Sequence, residues 1–191
     1  MDKAVDKNYM NSQQEKGSIQ IKHWFTAFLY VGFIYATLGI VGVPLKFLRR
    51  HGLLKISLTS SYTLLAGSIL MGLVRSKSRQ IWKFISLFIL FASYFFMAQH
   101  LSSPEEEVHF LEYGLVGILF IRALRFHFDS YWKTFFTALL LASLAGWIDE
   151  LIQGLLPNRH YDVKDIVLNA VSALLGLCIF TLFQGHPTKH T

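Results

Sequence analysis

Long apolar runs are the feature that most limits what this chain can fold into. A helix needs roughly 17 to 25 apolar residues to cross about 30 Å of hydrocarbon, and backbone exposed to lipid must satisfy its own hydrogen bonds. Six runs meet that length, so we predict an all-α fold, a polytopic transmembrane helix bundle of about six spans. The predicted spans are residues 24–43, 56–74, 81–97, 108–124, 132–152 and 163–183.

The composition supports a membrane location. Only 16% of the residues are charged, against about 25% in soluble domains. The net charge of +6 could indicate nucleic acid, but the Lys and Arg residues lie in short clusters between the apolar runs, as in cytoplasmic loops. We therefore expect membrane lipid as a partner and no nucleic acid.

The distribution of basic residues predicts an orientation. With both termini inside, 12 of the 18 Lys and Arg residues fall on the inner side, which is the bias of cytoplasmic segments. The exception is the first loop, with Lys46, Arg49, Arg50 and Lys55. We expect a multi-pass protein of the bacterial cytoplasmic (inner) membrane with both termini cytoplasmic.

The chain divides into four segments. Residues 1–22 are a polar N-terminal tail, mobile or interfacial, and residues 23–80 carry two transmembrane helices. Residues 81–185 form a four-helix membrane domain, and residues 186–191 are a C-terminal tail. The single cysteine, Cys178, excludes an intrachain disulfide and is expected in the core.

Local sequence signals predict helix ends on the outer side. Ser103 followed by Pro104 and glutamates fits a capping box. Asp162 is expected to cap the last helix, since acidic groups favour helix N-termini. Gly154 is a natural glycine just beyond the end of the fifth helix.

Polar side chains recur one to three turns inside the outward ends of the last three predicted spans. Within each span they follow the three- or four-residue spacing that puts them on one helix face, and Ser172 and Gly176 continue the stripe on the last span. We expect these groups to meet inside the bundle and to line a cavity that opens outward. The predicted site also includes the arginine of the loop between the fifth and sixth spans. Its members are His109, Glu112, Tyr113, Asp149, Glu150, Gln153, Arg159, Asp165 and Asn169.

The residue types suggest roles. Asp149 or Glu150 would be a general base with His109 as its partner acid, and Arg159 would hold a phosphate or carboxylate. A metal is an alternative, because an imidazole with several carboxylates suits zinc, manganese or magnesium, although no HExxH motif is present. Its ligands would come from His109, Asp149, Glu150 and Asp165. We assign no cofactor-binding residues, and the sequence leaves the cofactor unknown. His127 and His160 are expected at the membrane interface.

These residues also carry a resemblance. The segments EEVHFLEYGLVG and DELIQGLLPNRHYDVKDIVLNAVSALLG resemble the VanZ-like family of small multi-pass membrane proteins, over residues 81–183. The founding type is associated with low-level resistance to the glycopeptide antibiotic teicoplanin. The resemblance implies an integral membrane protein of the cell envelope whose pocket binds or acts on a lipid-linked or cell-wall precursor.

Two other interpretations stay open. The protein could be a non-enzymatic transporter-like or accessory membrane protein whose acids bind protons or a cation. The cluster could also be purely structural, with hydrogen bonds that tie the three helices together. Interhelical hydrogen bonds in membranes contribute only about 0.6 kcal/mol on average, which favours a functional role. Whether the protein is an enzyme stays open at this stage.

Overall fold

The computed structural model describes residues 2–40, 42–75, 84–86, 88–89, 92–93, 95–96, 104–157, 159 and 161–184, and within these ranges the regular structure is entirely helical. Short helical stretches occur among the described residues between 84 and 96, and the other residues of the third predicted span lie outside the described part. The helices are α1 (Asp2–Thr37), α2 (Gly42–Arg50), α3 (Leu53–Arg75), α4 (Pro104–Leu124), α5 (Tyr131–Leu155) and α6 (Val163–Gln184).

The polar N-terminal segment is helical. Residues 2–22 form the first part of α1, which runs without interruption to Thr37. The segment contains no proline and includes four Lys and three Gln residues, which favour helix. Polarity therefore marked where the apolar run starts, not where the helix starts.

The first predicted loop contains a helix that the sequence analysis did not anticipate. α1 ends at Thr37, six residues before the predicted end of the first span, and the Thr37 hydroxyl bonds back to the carbonyls of Phe33 and Ile34. α2 follows, with Pro44 in its first turn, where proline is tolerated. Gly52, at φ 67°, separates α2 from α3 in a conformation that suits glycine.

The core lies where α4 packs against α1, α5 and α6. Small and polar residues face inward on α5, including Ala138, Ala142 and Gly146, while large side chains such as Phe136 and Leu140 are exposed. α1 follows the same rule, with Ala27 buried and Phe28 exposed. An apolar exterior around a core of small and polar residues is the arrangement expected in lipid.

Glycines allow the helix backbones to approach closely. A Cβ on Gly117 would lie 2.7 Å from Ala173 O, and the backbone of Gly176 meets the carbonyl of Gly114. Gly154 differs from its prediction: α5 continues through it to Leu155 and is capped at Leu156, so it is not a terminal glycine. It packs instead against Tyr161, whose Cβ would be 3.2 Å from a Cβ at that position.

Two helices among the described residues are long and apolar enough to cross a membrane by length and composition, α5 and residues Val163–Leu182 of α6. The six-span prediction is therefore not confirmed. Charged residues explain in part why fewer helices than predicted meet this description. α4 carries Glu112 and Arg122 in addition to three glutamates in its first turn. The polar first half of α1 has no place inside a hydrocarbon layer.

Candidate functional site

α4 supplies an imidazole and a carboxylate from its N-terminal half. His109 and Tyr113 are buried on the face turned to the other helices, while the Glu112 side chain is 19% exposed. His109 Nδ1 lies 3.3 Å from Glu112 Oε2 and 3.5 Å from Asp149 Oδ2. These are ion-pair distances, and His109 Nδ1 has no hydrogen-bond partner among the described residues.

α5 places two carboxylates and an amide against that imidazole. Asp149 and Glu150 are fully buried and Gln153 nearly so. The Gln153 Nε2 group donates to Asp149 Oδ2 at 3.3 Å and to Glu150 Oε1 at 3.2 Å, because residues three and four apart share a helix face. We call His109, Glu112, Asp149, Glu150 and Gln153 the outer cluster.

The loop before α6 distinguishes the two carboxylates of α5. The backbone N–H of Asp162 donates to Glu150 Oε2 at 3.2 Å, so both oxygens of Glu150 are hydrogen bonded. Asp162 in turn caps α6, accepting the Lys164 N–H on Oδ1 at 2.8 Å, which confirms the predicted cap. Asp149 Oδ1, in contrast, is buried and has no hydrogen-bond partner among the described residues.

α6 closes the third side of the site. Asn169 and Ser172 are fully buried, and the Ser172 hydroxyl donates to the carbonyl of Phe110 on α4. Asn169 lies against Gly146 of α5, where an added Cβ would be 2.8 Å from Asn169 Cβ. Both amide atoms of Asn169 lack a hydrogen-bond partner in the described part of the chain.

Arg159 and Asp165 lie at the edge of this arrangement. Both are half-buried, and Arg159 is close enough to interact electrostatically with His109 and Asp165. Its Nη2 atom is buried without a hydrogen-bond partner among the described residues. Asp165 makes no side-chain hydrogen bond to the outer cluster. Of the nine predicted site residues, seven therefore lie in or next to the helix core, while Arg159 and Asp165 lie at its edge.

One contribution was missed by the sequence analysis. The Tyr35 hydroxyl of α1 donates to Ala145 O at 2.7 Å, and the Tyr113 hydroxyl donates to the same carbonyl at 3.2 Å. Two tyrosines, Tyr30 and Tyr35, inside an otherwise apolar run were the available signal, since buried hydroxyls need partners. The first helix therefore belongs to the surroundings of the site.

The metal alternative gains no support from the geometry. Among the residues that the structure describes, no group of three or more His, Cys, Asp or Glu side chains has an arrangement that could hold a metal ion. The proposed ligand set of His109, Asp149, Glu150 and Asp165 stays a prediction. The chemistry available in the cluster itself is acceptance of protons and of N–H or O–H donors by carboxylate oxygens.

A second polar group lies near the middle of α1, where the predicted first span begins. His127 is exposed, and its Nε2 atom lies 2.8 Å from both Trp24 Nε1 and Gln20 Nε2. We call Gln20, Trp24 and His127 the inner cluster. His127 thus joins α1 to the turn after α4 as a partnered surface residue, while His160 lies outside the described residues. Cys178 is a half-buried free cysteine of α6.

Comparison with known proteins gives one match. The model of the VanZ/LLP1 family matches residues 8–184, which extends the resemblance beyond residues 81–183 to include α1, α2 and α3. No curated protein and no solved structure matches the chain. The family and the two apolar helices α5 and α6 indicate a membrane protein. Since the family model covers nearly the whole sequence, including every residue of the outer cluster, the chain belongs to the VanZ/LLP1 family.

Proposed function

We propose that this protein is a multi-pass protein of the bacterial cytoplasmic membrane whose outer cluster binds the polar part of a cell-envelope component. Both termini are on the cytoplasmic side, which accords with the excess of Lys and Arg in the segments placed there. The ligand is a lipid-linked or cell-wall precursor that reaches the outer ends of α4, α5 and α6. The inner cluster then lies near the cytoplasmic surface.

The observation that carries this proposal is the burial of the outer cluster. A charged residue at the centre of a bilayer costs roughly 2.5 to 3.5 kcal/mol on insertion scales. The hydrogen bonds between helices return about 0.6 kcal/mol each. Three carboxylates therefore cost more than their contacts return, and a role in binding or chemistry explains why the chain retains them.

The two carboxylates of α5 differ in their hydrogen bonds. Glu150 accepts one hydrogen bond from Gln153 and one from the Asp162 backbone, so both of its oxygens are engaged and it holds the loop in place. Asp149 has one oxygen with no hydrogen-bond partner in the described part of the chain, and it lies beside His109. Asp149 is therefore the group that receives a ligand's proton or donor, and His109 is its partner.

Arg159 completes the site from the loop above. Its buried, unpartnered Nη2 atom is a donor suited to a phosphate or carboxylate oxygen. The ligand's anionic group would lie against this arginine, and its proton-bearing group against Asp149. The arrangement suits a head group that has both features a few ångströms apart.

Drug susceptibility tests the proposal, because the family's founding type is linked to teicoplanin resistance. Cells that express the protein should tolerate more teicoplanin than cells with an empty vector, and Asp149→Asn should remove that difference. The matched control is Asp129→Asn, which changes an exposed aspartate in the loop between α4 and α5. An Asp149→Asn variant that is present in the membrane at the wild-type level and protects equally well would refute the proposal.

Labelling tests the orientation independently. A single cysteine at position 159, in a chain with Cys178→Ala, should react with a membrane-impermeant maleimide in intact cells. A cysteine at position 129 should react only after the cells are permeabilised. The opposite pattern would place the outer cluster on the cytoplasmic side.

A further inference from the structure

Unpartnered polar atoms converge on one turn of α5. Asp149 Oδ1 and both amide atoms of Asn169 are buried without hydrogen-bond partners among the described residues, and both residues have no exposed surface. Asn169 lies against Gly146, one turn before Asp149, and Tyr113 Cε1 would be 3.4 Å from a Cβ at Gly146. The Tyr113 hydroxyl donates to Ala145 O at 3.2 Å and also interacts with the Asp149 carboxylate, but Asp149 Oδ1 has no hydrogen-bond partner among the described residues.

The charges around this turn are unbalanced. Glu112, Asp149 and Glu150 surround a single imidazole, that of His109. At the rim, Arg159 faces a further carboxylate, Asp165. Carboxylates thus outnumber the cationic groups that could balance them, and buried charge is costly unless it is paired. A cationic group that also donates hydrogen bonds would balance the excess of negative charge and supply partners for the unpartnered oxygens.

We propose that the turn formed by Gly146 and Asp149, with Asn169 of α6, is a subsite for a primary ammonium group. This inference rests on the proposed function and names the chemistry of the ligand. An ammonium group supplies one positive charge and three N–H donors, which match the free oxygens Asp149 Oδ1 and Asn169 Oδ1. A metal ion fits less well, since no group of three His, Cys, Asp or Glu side chains in the described residues could hold one.

Three buried nitrogen atoms are also without hydrogen-bond partners among the described residues: Asn169 Nδ2, Arg159 Nη2 and His109 Nδ1. Asn169 Nδ2 and Arg159 Nη2 can only donate, and protonated His109 Nδ1 donates as well, so an acceptor such as a phosphate, carboxylate or carbonyl oxygen would satisfy them. The ligand therefore carries an oxygen acceptor in addition to the amine. Glu112 is the most exposed carboxylate of the outer cluster, so we place the entry of the amine on its side.

Head-group selectivity tests the subsite directly. The purified protein is incorporated into nanodiscs of equal parts phosphatidylethanolamine and phosphatidylcholine, and the lipids retained after detergent extraction are measured by native mass spectrometry. The two head groups have the same net charge, but the quaternary nitrogen of choline has no N–H to donate. We expect wild-type protein to retain phosphatidylethanolamine about tenfold over phosphatidylcholine, since each charge-assisted hydrogen bond contributes substantially.

Variants assign the selectivity to the subsite. Asp149→Asn should reduce the preference to about equal retention, since its neutral amide pairs poorly with a cation, while Asp129→Asn should keep it. If Asp149→Asn fails to fold, wild-type protein is tested with mono-, di- and trimethylated phosphatidylethanolamine, and retention should fall at each methylation.

Equal retention of the two lipids by wild-type protein, or an unchanged preference in folded Asp149→Asn, would overturn the ammonium subsite. Loss of teicoplanin tolerance in Asp149→Asn together with equal lipid retention would leave the proposed function standing and remove only this inference. Uniform retention across the methylated series would also exclude it.

Discussion

The outer and inner clusters use similar groups in opposite surroundings. In the inner cluster, exposed His127 meets Gln20 and Trp24 at 2.8 Å each, and water could replace either contact. In the outer cluster, Gln153 and two carboxylates are buried, and one Asp149 oxygen has no hydrogen-bond partner within the described ranges. Surface contacts of the first kind contribute little to stability, whereas a buried unpartnered group costs free energy. The difference supports the proposal that the outer cluster serves a ligand, whereas the inner cluster joins helices.

α1 connects the two regions. Gln20 and Trp24, in the middle of α1, contact His127 in the turn after α4. Tyr35, near the C-terminal end of α1, donates a hydrogen bond to Ala145 O, as Tyr113 does. That carbonyl lies one turn before Asp149. A displacement of α1 would therefore change the support of the outer cluster as well as the inner contacts.

The largest difference between the two regions should come from glycine substitutions. Gly146→Ala would put a Cβ 2.8 Å from Asn169 Cβ, so α5 and α6 must separate, at a cost of about 2 to 3 kcal/mol. Gly17→Ala, on α1 before the inner cluster, meets nothing within 4 Å and should stabilise the helix by up to about 1 kcal/mol. Unfolding by sodium dodecyl sulfate in mixed micelles, followed by circular dichroism, measures both effects.

A loss of stability in Gly146→Ala as small as the change in Gly17→Ala would mean that α5 and α6 can move apart freely near Asn169. The close packing of α5 against α6 would then not explain why the polar groups of the outer cluster are buried. Gly32→Ala, also without a neighbour within 4 Å, controls for the general effect of alanine on α1.

An intermediate difference should come from removing one glutamine in each cluster. Gln153→Leu removes the shared donor of Asp149 and Glu150 and leaves two buried carboxylate oxygens without it, which should cost about 2 kcal/mol. Gln20→Leu removes an exposed contact to His127 and should change stability by less than about 0.5 kcal/mol. The same unfolding assay compares them, and equal losses would contradict the distinction between the clusters.

Helical periodicity was enough to predict that α4, α5 and α6 contribute polar faces to one region. His109, Asp149 and Gln153 follow regular spacing within long helices, and the alternating direction of the helices sets the depth at which they meet. The Asp162 cap was also predictable, because it depends on the next two residues of the chain alone. Helix ends set by tertiary contact were not, as Gly154 shows.

The separate roles of Asp149 and Glu150 lay beyond the sequence. Adjacent acids of one helix look alike until the loop brings the Asp162 N–H onto Glu150, and that contact depends on how the chain returns after α5. Tyr35 was missed for a related reason, since its partner is a backbone carbonyl 110 positions away. Contacts made through the backbone of distant segments leave no local pattern.

The smallest predicted effect concerns the inner end, where pH should act on His23. Partial burial, followed by the nearby charges of Arg122 and Arg125, lowers the pKa of His23 below its ordinary 6.5, and the ring stacks on Phe126. Between the two pKa values the folded state binds fewer protons than the unfolded state. Stability should therefore be full above pH 6.5 and fall slightly as the pH drops through that value to the folded pKa.

A histidine titration followed by nuclear magnetic resonance measures this pKa, and His23→Gln should remove the corresponding pH dependence of unfolding. Arg122→Gln should move the His23 midpoint upward, towards 6.5, because one of the two repelling charges is gone. A His23 midpoint above 6.5 in the wild-type protein would show that this end of α1 does not lie against Arg122 and Arg125. The packing of α1 against the end of α4 would then differ from the arrangement in which Gln20 and Trp24 contact His127.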